Sequence, residues 1–294
     1  VSCSKRNESA PILLLATKSN FGLYAGEMLR TEGFNSFATD SITNPDITLS
    51  YLKGYDIVII AETVITPVQQ EILTRYVEEG GNLIAFRPDK KLSNLFGIDP
   101  QVGEISEGYI AIDGNSEIGR GITAETLQIH GSADQYVLQG ARPIATLLKN
   151  DTTATEFPAI VINDYGSGHA LAFLYNLPMS IVYTRQGNYQ HAAQEMDGIT
   201  GIRAMDLFTN GYVNTSKNIL NQADEQMRLL SHSIEHLSLH SKPLPRFWYF
   251  PDTLKCLVTL NNDGEDSREA EFGPQFNDVE AKEAKMTLYI KEVE

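Results

Sequence analysis

At 294 residues and 42% hydrophobic composition, the chain has the makeup of one large globular domain or two modest ones, and not of a disordered polypeptide. Its 38 acidic residues against 23 basic ones leave a formal charge of -15, which repels phosphate backbones and anionic headgroups, so nucleic acid is excluded as a partner. No apolar run reaches the roughly 18 residues of a bilayer span, so no transmembrane segment is expected, and two cysteines, Cys3 and Cys256, are too few for a disulfide framework.

Residues 1–10 read as a polar leader. Val1-Ser2-Cys3-Ser4 resembles the end of a bacterial lipoprotein signal, whose small residues precede a lipidated cysteine. A lipid anchor at Cys3 and a place in the cell envelope, periplasm or cell surface, are what that resemblance implies. Pro11 to Ala16 is a short continuous apolar run, the mark of a parallel strand covered on both faces. Phe21 to Glu32 predicts a helix capped by Asn20 and closed by Gly33. Asn35 to Thr39 and Tyr55 to Ala61 predict strands. Thr66-Pro67 then opens a helix running through Tyr76 and Val77 to Gly80-Gly81, and Leu83 to Phe86 follows as a strand. Strands and helices alternating at this spacing predict an α/β fold, a doubly wound, mostly parallel sheet.

Beyond Gly97 the texture shifts to shorter β-like pieces: Tyr109 to Ile112, Leu127 to His130, Ile144 to Leu148, Ala159 to Asn163 and His169 to Tyr175. Turn signals between them suggest antiparallel additions to the sheet. Residues 177–221 show no clear period, whereas Met227, Leu230, Ile234 and Leu237 mark one face of a helix over Ala223 to Ser238. A proline-rich linker spans residues 242–254. Lys255 to Leu260 then predicts a buried strand, Phe272, Phe276 and Val279 a helix, and Lys285 to Ile290 a second strand, making one βαβ unit over 255–294.

Several residue groups could carry chemistry. The turn after Ala61 reads Glu62-Thr63-Val64, without the cysteine that an amidase nucleophile requires there. His232-Ser233-Ile234-Glu235-His236 matches a pattern in which two histidines one turn apart share zinc, though both also fit a solvent face. Gly166-x-Gly168 is a hairpin turn in preference to a phosphate loop. Arg185, Gln186 and Asn188, followed by Glu195, Asp197, Arg203 and Asp206, concentrate side chains suited to bidentate hydrogen bonds. They fit either a structural network or a grip on a sugar or carboxylate. His130 closes a β-run before Gly131 and is either a site residue or a structural histidine.

Gln128-Ile129-His130-Gly131-Ser132-Ala133-Asp134, Tyr183 to Asn188, Ala223-Asp224-Glu225-Gln226 and Pro243 to Tyr249 together resemble secreted bacterial proteins that join a class I glutamine amidotransferase-like, flavodoxin-like domain to a NodB-type polysaccharide deacetylase. The resemblance implies an amidotransferase-like domain over 11–241 and an incomplete deacetylase-like fragment over 255–294. In such deacetylases paired aspartates at the first strand's end serve as general base and as ligand of a divalent metal such as zinc. Asp263 matches the first, Gly264 stands at the second, and Glu265 or Asp266 would be the substitute ligand. The later histidine pair would lie beyond Glu294, so within this chain neither a cofactor nor a metal is expected.

Three functions remain in play. The first is a non-catalytic, carbohydrate-associated envelope domain that binds a glycan or other small polar ligand. The second is a metal-dependent deacetylase once its C-terminal domain is complete, with Asp263 catalytic. The third is a small-molecule hydrolase using the crevice at the strand ends near Lys18, Asn20 and Glu62.

Overall fold

The computed structural model describes residues 10–17, 21–209, 211–217, 219–264 and 269–289. Residues 1–9 of the leader, Lys18, Asn20, Glu265 and Asp266 lie outside the described residues, and so do the expectations for the Cys3 anchor and the Asn20 cap. In chain order the elements begin with β1 (Ile12–Leu15), α1 (Gly22–Thr31), β2 (Phe37–Asp40), α2 (Leu49–Leu52), β3 (Ile57–Ile60), α3 (Pro67–Glu78) and β4 (Asn82–Phe86). β5 (Ile98–Ser106), β6 (Tyr109–Ile112), β7 (Leu127–Gln128), β8 (Ser132–Leu138), β9 (Arg142–Leu148), β10 (Ala154–Tyr165) and β11 (Gly168–Phe173) follow. α4 (Leu177–Gln186) and α5 (Gln222–Ser238) complete the first part, and β12 (Leu260–Asp263), α6 (Glu269–Ala281) and β13 (Met286–Tyr289) form the last. Contacts divide the chain into two compact units, Val1–Phe247 and Trp248–Glu294.

The first unit is a mixed α/β structure built on one large sheet, ordered β2-β1-β3-β4-β11-β10-β9-β6-β7. The pairings from β2 through β11 are parallel and those from β11 through β7 antiparallel. Side chains alternate across a strand, so a continuous apolar run feeds two cores. Ile12, Leu14, Ile57, Ile59 and Ile84 join Met28 and Leu29 of α1 and Met227, Leu230, Ile234 and Leu237 of α5 on one face. Leu13, Leu15, Val58, Ile60 and Leu83 join Leu52 of α2 and Leu73, Tyr76 and Val77 of α3 on the other. Each such fully buried aliphatic side chain contributes about 1.5–3 kcal/mol. Thr66 caps α3 in a reciprocal box with Gln69, as its Thr-Pro start leads one to expect.

Four differences from the sequence reading have physical causes. His169 to Tyr175 is no antiparallel addition: β11 pairs parallel with β4 while β10 lies antiparallel on its other side. β5 escapes a pattern search because it is polar and largely exposed, and β8 because its buried positions, Ala133, Asp134 and Tyr136, include a carboxylate and do not alternate; the two pair with each other in a separate two-stranded sheet. Residues 242–247 do not hang free as a linker. Leu244 packs on the core, Lys242 Nζ reaches Asp56 Oδ2 at 3.1 Å, and Phe247 N donates to Gly33 O at 3.0 Å. That approach requires the glycine, whose φ is +84° and whose Cβ would stand 2.3 Å from the Phe247 carbonyl oxygen. Fourth, in the second unit Lys255 to Leu260 is not a buried strand. Leu257 and Val258 are 65% and 74% exposed, so no layer covers the run, and pairing begins at Leu260, with β12 parallel to β13. Cys256, placed by sequence in that strand, is an exposed free thiol.

No helix among the described residues is long and apolar enough to cross a membrane.

Candidate functional site

The carboxyl ends of β3, β4 and β11 place Glu62, Arg87 and Asn176 together. Arg87 sits at φ 40°, an uncommon conformation for a residue with a side chain. Its guanidinium gives Nη2 to Asp134 Oδ1 and Glu104 Oε2, both at 2.9 Å, and Nη1 to Glu62 Oε1 at 3.4 Å. Asn176 caps α4 through Met179 N and donates Nδ2 to the other oxygen of Glu62 at 2.7 Å. A cavity of about 480 Å³ opens here, lined also by Lys90, Lys91 and Tyr136. Glu62, the described residue of the strand-end hydrolase reading, lines this cavity and is held by Arg87 and Asn176.

A second cluster forms where the β5–β6 turn meets the end of β7. Glu107, at φ 52°, accepts from Gly131 N at 2.7 Å and pairs with His130 Nδ1 at 2.6 Å. Gly131 takes a φ of +84°, a conformation that favours glycine. His130 is fully buried, and its ring stacks on Tyr212 at 4.4 Å between centroids. Ser180 Oγ accepts from the backbone N of His130, and Gln226 Oε1 accepts from that hydroxyl, so α4 and α5 fix the His130 backbone from behind. His130 Nε2 is buried and meets no hydrogen-bond partner among the described residues. Burial opposes the charge on Glu107, but the hydrogen bonds from His130 and Gly131 outweigh it and hold the carboxyl below its ordinary range. Burial, and after it the Glu107 charge, pushes the Tyr212 hydroxyl up.

Tyrosines extend this cluster to the surface. Tyr183 packs edge-on against Phe21 at 5.2 Å and is stacked with Tyr189 at 5.8 Å. Burial raises the Tyr183 hydroxyl, with smaller contributions from Tyr189 and Glu107. These rings, with Tyr24 and Gln186, line a cavity of about 510 Å³. Tyr189 is 63% exposed and Glu107 is 46% exposed in its side chain, so aromatic faces, an amide and a carboxylate are all open to solvent.

The residues expected from sequence to bind a ligand divide between this cavity and the loop beside it. Gln186 lines the cavity, and His130 stands behind Glu107. Arg185 pairs with Asp224 across α4 and α5. Asn188 holds its own turn through Gln190 N and meets His191 Nε2 at 3.2 Å. Asp206 accepts from three backbone N–H groups, those of Met196, Asp197 and Arg203, at 2.7–2.9 Å. Arg203 pairs with Asp197, and Glu195 accepts from Gly201 N. Tyr183, Tyr189 and Phe21 give the cavity its aromatic walls, with Glu107 near enough to Tyr183 to act on its hydroxyl, and sequence reasoning missed these residues as a set because they come from distant segments with no motif.

The His-x-x-Glu-His pattern does not gather a metal pair: His232 Nδ1 meets Ile118 O at 2.9 Å, and His236 Nδ1 meets Glu117 Oε2 at 3.1 Å. Gly166 and Gly168 form the β10–β11 hairpin turn. In the second unit, Asp263 ends β12 exposed to solvent and Gly264 N donates to Tyr289 O at 2.8 Å.

No protein-family model matches the chain, and no curated protein does. Solved structures give distant likenesses. A cold-adapted β-galactosidase from Rahnella sp. R3 is 18% identical, with a TM-score of 0.45 over 56% of this chain and 28% of that one. A β-galactosidase from Bacillus circulans sp. alkalophilus is 13% identical, at 0.46 over 59% and 30%. The carbohydrate deacetylase Agd3 is 18% identical, at 0.46 over 57% and 30%. The matched part is thus under a third of each of those chains.

Proposed function

We propose that the chain is a non-catalytic, carbohydrate-associated domain that binds a sugar on the surface made by Phe21, Tyr183, Tyr189, Gln186 and Glu107. The observation that carries this reading is the open cavity of about 510 Å³ with tyrosine rings as its walls. Sugars present apolar C–H faces that stack on aromatic rings, and hydroxyls that an amide and a carboxylate can bind. Against an amidase role stands the turn after β3, Ala61-Glu62-Thr63-Val64, which has no nucleophilic cysteine.

The finer fold proposal is an amidotransferase-like, doubly wound sheet, supported by the parallel order β2-β1-β3-β4-β11 and by helices on both faces. An envelope location with a tether at Cys3 accompanies the proposal and rests on the leader sequence alone. Calorimetric titration of the full chain with a panel of bacterial and host glycans is the test. Saturable binding of at least one supports the reading, and silence across the panel overturns it.

The parallel pair β12 and β13, with Asp263 at a strand's carboxyl end, favours a second reading, the metal-dependent deacetylase. Acetate release from acetylated chitooligosaccharides in added zinc, lost in Asp263→Asn, would establish it.

A further inference from the structure

The tyrosine cavity does not end at Tyr24. Tyr24, Val182 and Gln186 line it and also line a smaller cavity of about 120 Å³, so the two share a wall along the seam where α1 packs on α4. Residues three and four apart stand one above another on a helix. Tyr24, Glu27 and Thr31 therefore make one rim of that seam, and Val182, Arg185 and Gln186 the other. At a helical rise of about 1.5 Å per residue, roughly 10 Å separates Tyr24 from Thr31. A groove of this length takes a chain of sugar rings and not a single ring.

The uncompensated charge along the groove is of one sign. Arg185, the one cation lining either cavity among the described residues, is neutralised by Asp224. Thr31 Oγ1 donates to the backbone carbonyl of Glu27 at 3.0 Å, and among the described residues no ion pair or hydrogen bond reaches the Glu27 carboxylate. At the other end Glu107, 46% exposed in its side chain, lies near enough to Tyr183 to act on its hydroxyl. Tyrosine faces flanked by carboxylates suit an ammonium group, which is drawn to the ring quadrupole as well as to the negative charge. The formal charge of -15 on the whole chain steers cations in and turns polyanions away. A neutral sugar would use the rings and the Gln186 amide but leave Glu27 without a role.

We propose that the groove binds a chain of amine-bearing sugars, with one ring stacked on the tyrosines and the ammonium of a neighbouring ring held by Glu27. The inference rests on the sugar-binding reading of the tyrosine cavity and adds the class of sugar and the direction in which the chain runs, from Tyr189 past Tyr24 toward Thr31.

The test is calorimetric titration of the full chain with glucosamine tetramers, N-acetylglucosamine tetramers and galacturonate tetramers. Mildly acid pH is used, where the sugar amines are protonated and Glu27 is ionised. The amine tetramer should bind about tenfold more tightly than its acetylated twin, and the galacturonate tetramer should bind least. Glu27→Gln, an exposed exchange between two good helix formers, should abolish the preference for the amine and leave binding of the acetylated tetramer unchanged. Equal or tighter binding of the acetylated tetramer, or a preference for the amine that survives in Glu27→Gln, overturns the inference while the sugar-binding reading stands. Silence of all three tetramers overturns both.

Discussion

Asp206 shows how much one carboxylate can organise. Its oxygens satisfy three backbone N–H groups of the loop over residues 196–206, and those bonds, led by the one from Met196 N, hold its carboxyl below the ordinary range. The residue has almost no accessible surface of its own, and the desolvation that opposes its charge is outweighed by the bonds from Met196 N and Arg203 N. Because its value is lowered by folding, its contribution is present above the unfolded carboxylate value of about 3.9 and is lost as pH falls through the folded one. Asp206→Ala should therefore lower the denaturation midpoint at pH 7, and the gap to wild type should narrow as the pH is taken below the unfolded carboxylate value. A gap independent of pH would show that the charge is not what matters. Asp206 was legible in sequence as a hydrogen-bonding group, but whether it bonds to its own loop or to a ligand depends on backbone geometry that no spacing encodes.

Two contacts between elements set the frame of the site. Gln226 of α5 accepts from Tyr175 Oη and Ser180 Oγ and donates to Gln128 O, tying α5 to α4 and to β7 behind His130. Gln226→Leu leaves those buried groups without their partner and should cost about 1–3 kcal/mol in chemical denaturation. Where α3, β4 and β11 meet, a Cβ on Gly168 would stand 2.2 Å from Val77 O and 2.3 Å from Gly81 O. Gly168→Ala should cost about 1–3 kcal/mol by the same measurement, since backbone on both sides must move. At this scale the strong elements were readable: apolar runs gave β1, β3 and β4, and the Leu230 to Leu237 stripe gave α5. β5, β8 and the single turn of α2 were not, because they are short or polar and are held by pairing or by the Thr48 cap, not by an apolar period.

At the scale of the molecule, the boundary between the units falls after Phe247, not at the first proline of the tail. The segment up to Phe247 adds Leu244 to the core and brings Arg246 Nε to Glu235 Oε1 at 3.2 Å. A chain ending at Phe247 should melt as one unit, and one ending at Ser241 should melt several degrees lower. Equal melting temperatures would show that the strap adds nothing. The proline-rich composition identified this stretch as a connector, but only the fold reveals the groove beneath it.

The account's central claim is that the tyrosine-lined cavity recognises a sugar. The most direct measurement is the calorimetric Kd of the best-bound saccharide for wild type, Tyr183→Ala and Tyr189→Ala, with melting temperature as the control for folding. Loss of a stacking ring should weaken binding by about tenfold, equivalent to about 1.4 kcal/mol, at an unchanged melting temperature. Binding of wild-type strength in both folded variants would contradict the claim.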